Sequence, residues 1–183
     1  MSTLPEIRAA ARSRSADDFA GTIRAYYPYW DLQYRPYLLE AVNRFPAAHL
    51  DFKPRPEMMT ARQVILHIAE TEQGWIHAAI DGGREEEWVV PGDNQTEGWK
   101  TVVEAPDHDA LRALLERWHT PTQRWFDRPA DELARVIQRR FNDGLELSYT
   151  VHWILDHVQE HEIHHRAQLN LYLRLLGIEP PSI

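Results

Sequence analysis

The 183-residue chain contains no cysteine. That excludes disulfides, thiolate nucleophiles and cysteine-ligated zinc, and it makes the cytoplasm the expected compartment. No stretch approaches the roughly 20 consecutive apolar residues of a membrane span. No apolar block follows a basic N-terminus either, so neither a membrane anchor nor a signal peptide is expected. Basic charge is scarce as well: 20 Lys and Arg against 28 Asp and Glu leave a formal net charge of −8. The densest basic piece is Arg139-Arg140. That is too little to track a phosphate backbone, and nucleic acid is not an expected partner. Internal repeats and low-complexity tracts are absent. With 43% hydrophobic and 26% charged residues the composition is globular. Residues 1–15, small, polar and basic, are expected to form a flexible N-terminal segment, and residues 16–183 one domain.

Apolar spacing predicts four helices. The first covers about 17–45, with Leu32, Tyr37, Leu38, Leu39, Ala41 and Val42 on overlapping turns and Pro28 and Pro36 at starts or kinks. After a proline-bearing loop, Thr60-Ala61-Arg62-Gln63 has the form of a capping box. The helix it opens runs to about Ile80, where Asp81-Gly82-Gly83 stop it, and its apolar stripe is Val64, Ile68, Thr71, Trp75 and Ala79. Residues 82–106, with Glu85-Glu86-Glu87, Trp88 and Trp99, are either a functional loop or a solvated crossover, and Trp88 or Trp99 is a candidate pocket residue. Asp107 is expected to cap a third helix through Leu111, Leu114, Leu115 and Trp118, disturbed at Pro121 ahead of Trp125 and Phe126. Segments 136–141 and 145–149 flank Asn142-Asp143-Gly144, a hairpin signal. A last helix from about 148 to 176 ends at Gly177, before Pro180-Pro181, and spans roughly 43 Å at 1.5 Å per residue. These elements make an all-α four-helix bundle with one long crossover loop and a short β-hairpin before the last helix.

What the sequence does have is histidine. Five of its 10 His lie between His152 and His165. The apolar face of the last helix is Val151, Ile154, Leu155, Val158, Leu169, Tyr172, Leu173 and Leu176, and His161 and His165 stand on it where Leu or Ile is expected. At i and i+4 they lie one above the other, the spacing that lets two imidazoles grip one metal ion. A third ligand must come from another helix. His67 is the candidate, on the edge of the second helix's stripe beside the small residues Thr71, Gly74 and Ala78, which leave room for a cavity. One histidine on an apolar face is usually a satisfied core residue; two on successive turns with a third available argue for a metal, and three imidazoles suit zinc or nickel. His157 and His164 flank the pair, His157 as a cavity-rim group and His164 as a supporting or surface group. A competing pattern is Glu116-Arg-Trp-His119 with Glu162-Ile-His-His165, the Glu-x-x-His pairs of di-iron bundles. Against it, Pro121 is expected to disturb the helix at His119, and Glu162 falls off the stripe.

His67, then His161-Glu-Ile-His-His165-Arg166-Ala167-Gln168, then Leu-Arg-Leu-Leu-Gly and Glu-Pro-Pro, resembles the DinB/YfiT-like superfamily over about residues 20–180. The superfamily's closing motif is usually His-x-x-x-His-Arg-Gly-Gln; here Ala167 stands in the Gly place. The resemblance implies a four-helix bundle holding a divalent metal on His67, His161 and His165, and a homodimer. It also implies a metal-dependent hydrolase, or an S-transferase using a low-molecular-weight thiol such as bacillithiol, mycothiol or glutathione, acting on a small electrophile. Three neutral ligands leave a dipositive ion an open position, where water or a thiol becomes acidic near neutral pH. The alternatives are a bundle that a metal merely stabilises and a stress protein that binds a small ligand without turnover.

Overall fold

The computed structural model describes residues 15–83, 88–89, 101–102, 105, 107–140 and 146–182. The N-terminal segment other than Ser15, most of the 82–106 connection including Trp99, and Asn142-Asp143-Gly144 lie outside them, as does the side chain of Trp88.

Helix α1 (Arg35–Arg44) starts later than the apolar spacing suggests. Short 3₁₀ turns at Ala16–Asp18 and Ile23–Ala25 lead to a wide π-helical turn, Trp30–Tyr34. In that turn the Tyr34 N–H donates to the Tyr29 carbonyl at 3.0 Å. Pro36 follows at the start of the α-helix, where its missing N–H costs least. Leu32, counted in the apolar pattern, is 80% exposed.

Helix α2 (Ala61–Glu72) opens on the expected capping box. The Gln63 N–H donates to Thr60 Oγ1 at 3.1 Å, and the Thr60 N–H donates to Gln63 Oε1 at 2.7 Å. It continues as a π-helix over Gln73–Ile80 and ends at Gly82, whose φ of +70° is natural only for glycine. The wider turn rotates the face, so Ile76 and Ile80 are buried while Trp75 and Ala79 move to the edge. The two-residue strands β1 (Trp88–Val89) and β2 (Thr101–Val102) pair in parallel.

Helix α3 (His108–Phe126) is capped by Asp107, which accepts from the Ala110 N–H at 2.9 Å. Pro121 does not break it. Trp118, His119, Thr122, Trp125 and Phe126 are all buried around the proline, and their packing outweighs one lost backbone bond. The hairpin forms as β3 (Val136–Arg140) and β4 (Glu146–Thr150), antiparallel, with Val136 opposite Thr150 and Arg140 opposite Glu146. Because β4 runs to Thr150, α4 (Val151–Leu175) begins there, with Thr150 accepting from the Trp153 N–H at 3.1 Å. Gly177, at φ +75°, follows its end.

Helices α1 and α4 run parallel: Arg35 meets Glu162, and Arg44 meets the Glu179 carbonyl. So do α2 and α3, with Arg62 bonded to the Ala105 carbonyl and Asp81 to Trp125. Helix α2 is antiparallel to α4, through Met59 with Tyr172 and Thr71 with His161. Parallel neighbours need a connection that returns along the bundle, so the long crossover between α2 and α3 follows from the topology.

Among the described residues the apolar interior forms two clusters, one toward each end of the bundle. A layer of buried charge lies between them. The Arg35 guanidinium on α1 bonds Glu72 on α2 at 2.5 Å, Glu162 on α4 at 2.9 Å and the Leu115 carbonyl on α3 at 2.9 Å. Glu72 also accepts from Thr122 and His119, His119 reaches Asp31 at 2.7 Å, and Trp30 Nε1 donates to Glu162 at 3.2 Å. Burial alone would raise the Glu72 carboxyl, but Arg35, His119 and the bond from Thr122 outweigh it and hold it at about 2. Burial would lower His119, but the Glu72 charge and the bonds to Asp31 and Glu72 outweigh that and the Arg35 charge, raising it to about 9.

Two outcomes follow from this layer. Replacing Arg35 by Leu leaves Glu72 and Glu162 buried without their shared cation, and urea unfolding should show a loss of about 3–5 kcal/mol; a loss under about 1 kcal/mol would contradict it. The raised His119 contributes stability that is complete below its ordinary value of about 6.5 and is lost as the pH rises toward about 9. Thermal melts should therefore fall between pH 7 and 9 in the native protein and flatten over that range in His119→Gln.

Candidate metal centre

The buried seam of α4 follows 4-3 spacing: Val151, Leu155, Val158, Glu162, His165, Leu169 and Tyr172, all buried. His165 thus occupies a core position, as expected. His161 does not: it is half-buried, one residue off the seam on the side facing α2, and Glu162, off the expected stripe, takes the inward position instead. His67, in the second turn of α2, faces the pair, its side chain 33% exposed.

The structure brings the three expected residues together. One ring nitrogen from each of His67, His161 and His165 lies within 4.8 Å of the others, close enough to hold one metal ion. The ring centroids are 4.7 Å apart for His67 and His161, 5.0 Å for His67 and His165, and 4.3 Å for His161 and His165.

Neighbouring groups decide which nitrogens are free. His67 Nδ1 lies 3.1 Å from Glu70 Oε2. A carboxylate only accepts, so Nδ1 carries the proton and the lone pair is on Nε2. His165 is set by a longer chain. The Tyr172 hydroxyl donates to the Met59 carbonyl at 3.0 Å, and Gln168 Nε2 donates to that hydroxyl at 2.8 Å. The amide is then oriented with Oε1 accepting from His165 Nδ1 at 2.9 Å, which leaves Nε2 free. His161 Nε2 is 3.3 Å from Thr71 Oγ1 and 3.1 Å from His67 Nε2. Two nitrogens bound to one tetrahedral ion at about 2.0–2.1 Å stand about 3.3 Å apart, so the His67 and His161 nitrogens are spaced as two ligands of a single ion.

Two of the rings, His161 and His165, are also kept neutral. Burial, with the neighbouring imidazoles of His165, His67, His157 and His164, pushes His161 down to about 2. Burial pushes His165 down to about 4, aided by His67 and His164 and opposed by the bond to Gln168. Neutral imidazoles are the form that ligates metals.

The flanking histidines stay outside the group. His164 is exposed, its ring 4.9 Å from that of His165, and His157 stacks on Trp153 at 4.9 Å and 10°. Of the small residues on α2, Thr71 meets His161 and Gly74 offers its carbonyl to Arg139 at 3.1 Å. The di-iron pattern is not assembled: Glu116 is exposed, His119 is held between Glu72 and Asp31, and Glu162 is held by Arg35. Sequence reasoning passed over Arg35, Asp31 and Thr122, and it missed Glu70 and Gln168 as braces. The braces carried a signal, since each stands three residues after the histidine it holds.

In metal-free protein, nitrogen NMR should find His165 as the neutral Nδ1–H form, with no protonation step between pH 5 and 8. Gln168→Leu should turn that single tautomer into a mixture. A His165 transition near its ordinary value of about 6.5 would refute the assignment.

Comparison with known proteins bears on the fold and the family. The model of the DinB family matches residues 18–183. Among solved structures, the chain is similar to a DinB-like protein, YjoA, from Bacillus subtilis, with a TM-score of 0.57 and 24% identity over 82% of this chain and 92% of that one. That likeness speaks to the fold alone. No curated protein matches the chain in sequence. The stretch matched by the family takes in all four helices and all three histidines, and this chain belongs to the DinB family.

Proposed function

We propose that His67, His161 and His165 hold one divalent ion, zinc or nickel, and that the protein is a metal-dependent enzyme acting on a small electrophile, as a hydrolase or as a transferase of a low-molecular-weight thiol. The observation that carries this reading is the convergence of three imidazoles, two of them with ring nitrogens 3.1 Å apart, with His67 and His165 fixed in orientation by Glu70 and Gln168. Such an ion supplies Lewis acidity toward water or a thiol near neutral pH, and a chain without cysteine has no thiolate of its own for that part.

The chain's own residues do the rest. Glu70 and the Met59–Tyr172–Gln168 chain hold two rings in one tautomer, so each presents Nε2 for binding. Thr71 places a hydroxyl beside His161 Nε2. The one-third exposure of His67 leaves an approach from solvent, which favours a reacting site over a sealed structural one.

Protein purified without a metal-affinity tag should carry about one zinc or nickel per chain by elemental analysis. His161→Ala and His165→Ala should lose it, and His164→Ala should keep it. Full occupancy in a His161/His165 double variant would overturn the ligand assignment. In cobalt-loaded protein a small thiol should add a sulfur-to-cobalt charge-transfer band, and turnover of a thiol-reactive electrophile should saturate with that band. A spectrum indifferent to thiols, with lost thermal stability on cobalt removal, would assign the ion a structural role instead.

A further inference from the structure

Rings recur every four residues along β4 and α4: Tyr149, Trp153, His157, His161 and His165. The fold makes them a continuous file. Tyr149 stacks on Trp153 with centroids 4.5 Å apart, Trp153 on His157 at 4.9 Å, His157 meets His161 at 6.1 Å, and His161 meets His165 at 4.3 Å. Only the last two belong to the three-histidine group. The first three have another common feature. Trp75, from the π-helical end of α2, stands across them at 5.1, 5.6 and 5.5 Å from Tyr149, Trp153 and His157, at interplanar angles of 85°, 67° and 77°.

This corner is built rather than incidental. The Arg139 guanidinium on β3 lies 4.2 Å over the Trp75 ring and donates to the Gly74 carbonyl at 3.1 Å, fixing the indole. The hairpin therefore supplies both Arg139 and Tyr149. The π-helical turn brings Trp75 to the edge of α2, while its neighbour Ile76 is buried. Trp75, Trp153 and His157 are half-buried, as are His67 and His161, and all five lie in the seam between α2 and α4. The corner adjoins the three-histidine group at His157, whose ring centroid lies 6.1 Å from that of His161.

We infer that the corner formed by Trp75, Trp153 and His157 is the recognition wall of the three-histidine site, and that it selects an electrophile whose reacting carbon carries an aromatic or other planar conjugated group. The inference rests on the metal reading above. Its chemistry is the preference of aromatic rings for edge-to-face and offset-stacked neighbours, added to the apolar area such a ring buries. Rings held in place before binding lose little freedom on contact, which favours a rigid planar group over a flexible aliphatic one.

Two hydroxamic acids separate the wall from the metal, because they share a metal-binding group and differ only in what it carries. Benzohydroxamate and acetohydroxamate are titrated into cobalt-loaded protein and followed by the cobalt absorption. Benzohydroxamate should bind about tenfold more tightly. Trp75→Leu and His157→Ala should each reduce that preference to within about twofold while leaving acetohydroxamate affinity nearly unchanged. Trp75 also packs on the hairpin, so His157→Ala serves as the variant that removes a single half-buried ring. Equal affinities in the native protein, or a preference that survives both substitutions, would overturn the wall with the metal reading intact. A native protein that takes up no cobalt would overturn the metal reading itself.

Discussion

A single buried guanidinium joins all four helices. Arg35 on α1 bonds carboxylates on α2 and α4 and a carbonyl on α3, and no other group in the described interior reaches so many elements. A buried charge is tolerated only when paired and hydrogen-bonded. The helices can therefore shift relative to one another only by breaking that set. The constraint bears directly on the histidines, because neighbouring residues serve both groups: Thr71 faces His161 while Glu72 faces Arg35, and His161 faces His67 while Glu162 faces Arg35. The spacing of α2 and α4 at the candidate metal centre is thus set by a residue that bonds to none of the three rings.

The departures from regular helix lie where the site needs them. Helix α2 widens into a π-helix immediately after Glu72, which turns Ile76 and Ile80 inward and frees Trp75 for the seam. The hairpin delays the start of α4, delivers Tyr149 to its first turn and lays Arg139 over Trp75. With α2 parallel to α3 and antiparallel to α4, the long connection runs between the parallel pair, and the antiparallel pair carries the three histidines.

Much of this was legible in the chain. The capping box at Thr60, the Asp107 cap, the glycine stops and the hairpin signal rest on local hydrogen bonding, which residue types and spacing encode directly. The His161 and His165 pair was legible for the same reason, since i and i+4 share a helical face wherever the helix lies. Where local rules failed, tertiary contacts had outweighed them. Pro121 stays inside α3 because buried residues on both sides of it hold the helix together. Glu162 sits in the core because Arg35 neutralises it there, and no reading of α4 alone supplies that partner.

The sequence by itself determined four helices, where most of them begin and end, and which histidines share a face, because each of these is settled within a few residues along the chain. It also limited the chemistry, since a chain without cysteine has no thiolate to serve as ligand or nucleophile. Only the tertiary structure decided that His67 meets His161 and His165, that His119 and Glu162 serve a charge network rather than the competing di-iron pattern, and that Trp75 stands beside His157. Those relations join residues 47 to 127 positions apart, or two helices whose relative rotation a π-helical turn resets. Their geometry is fixed by which buried charges find partners, a condition no local pattern contains.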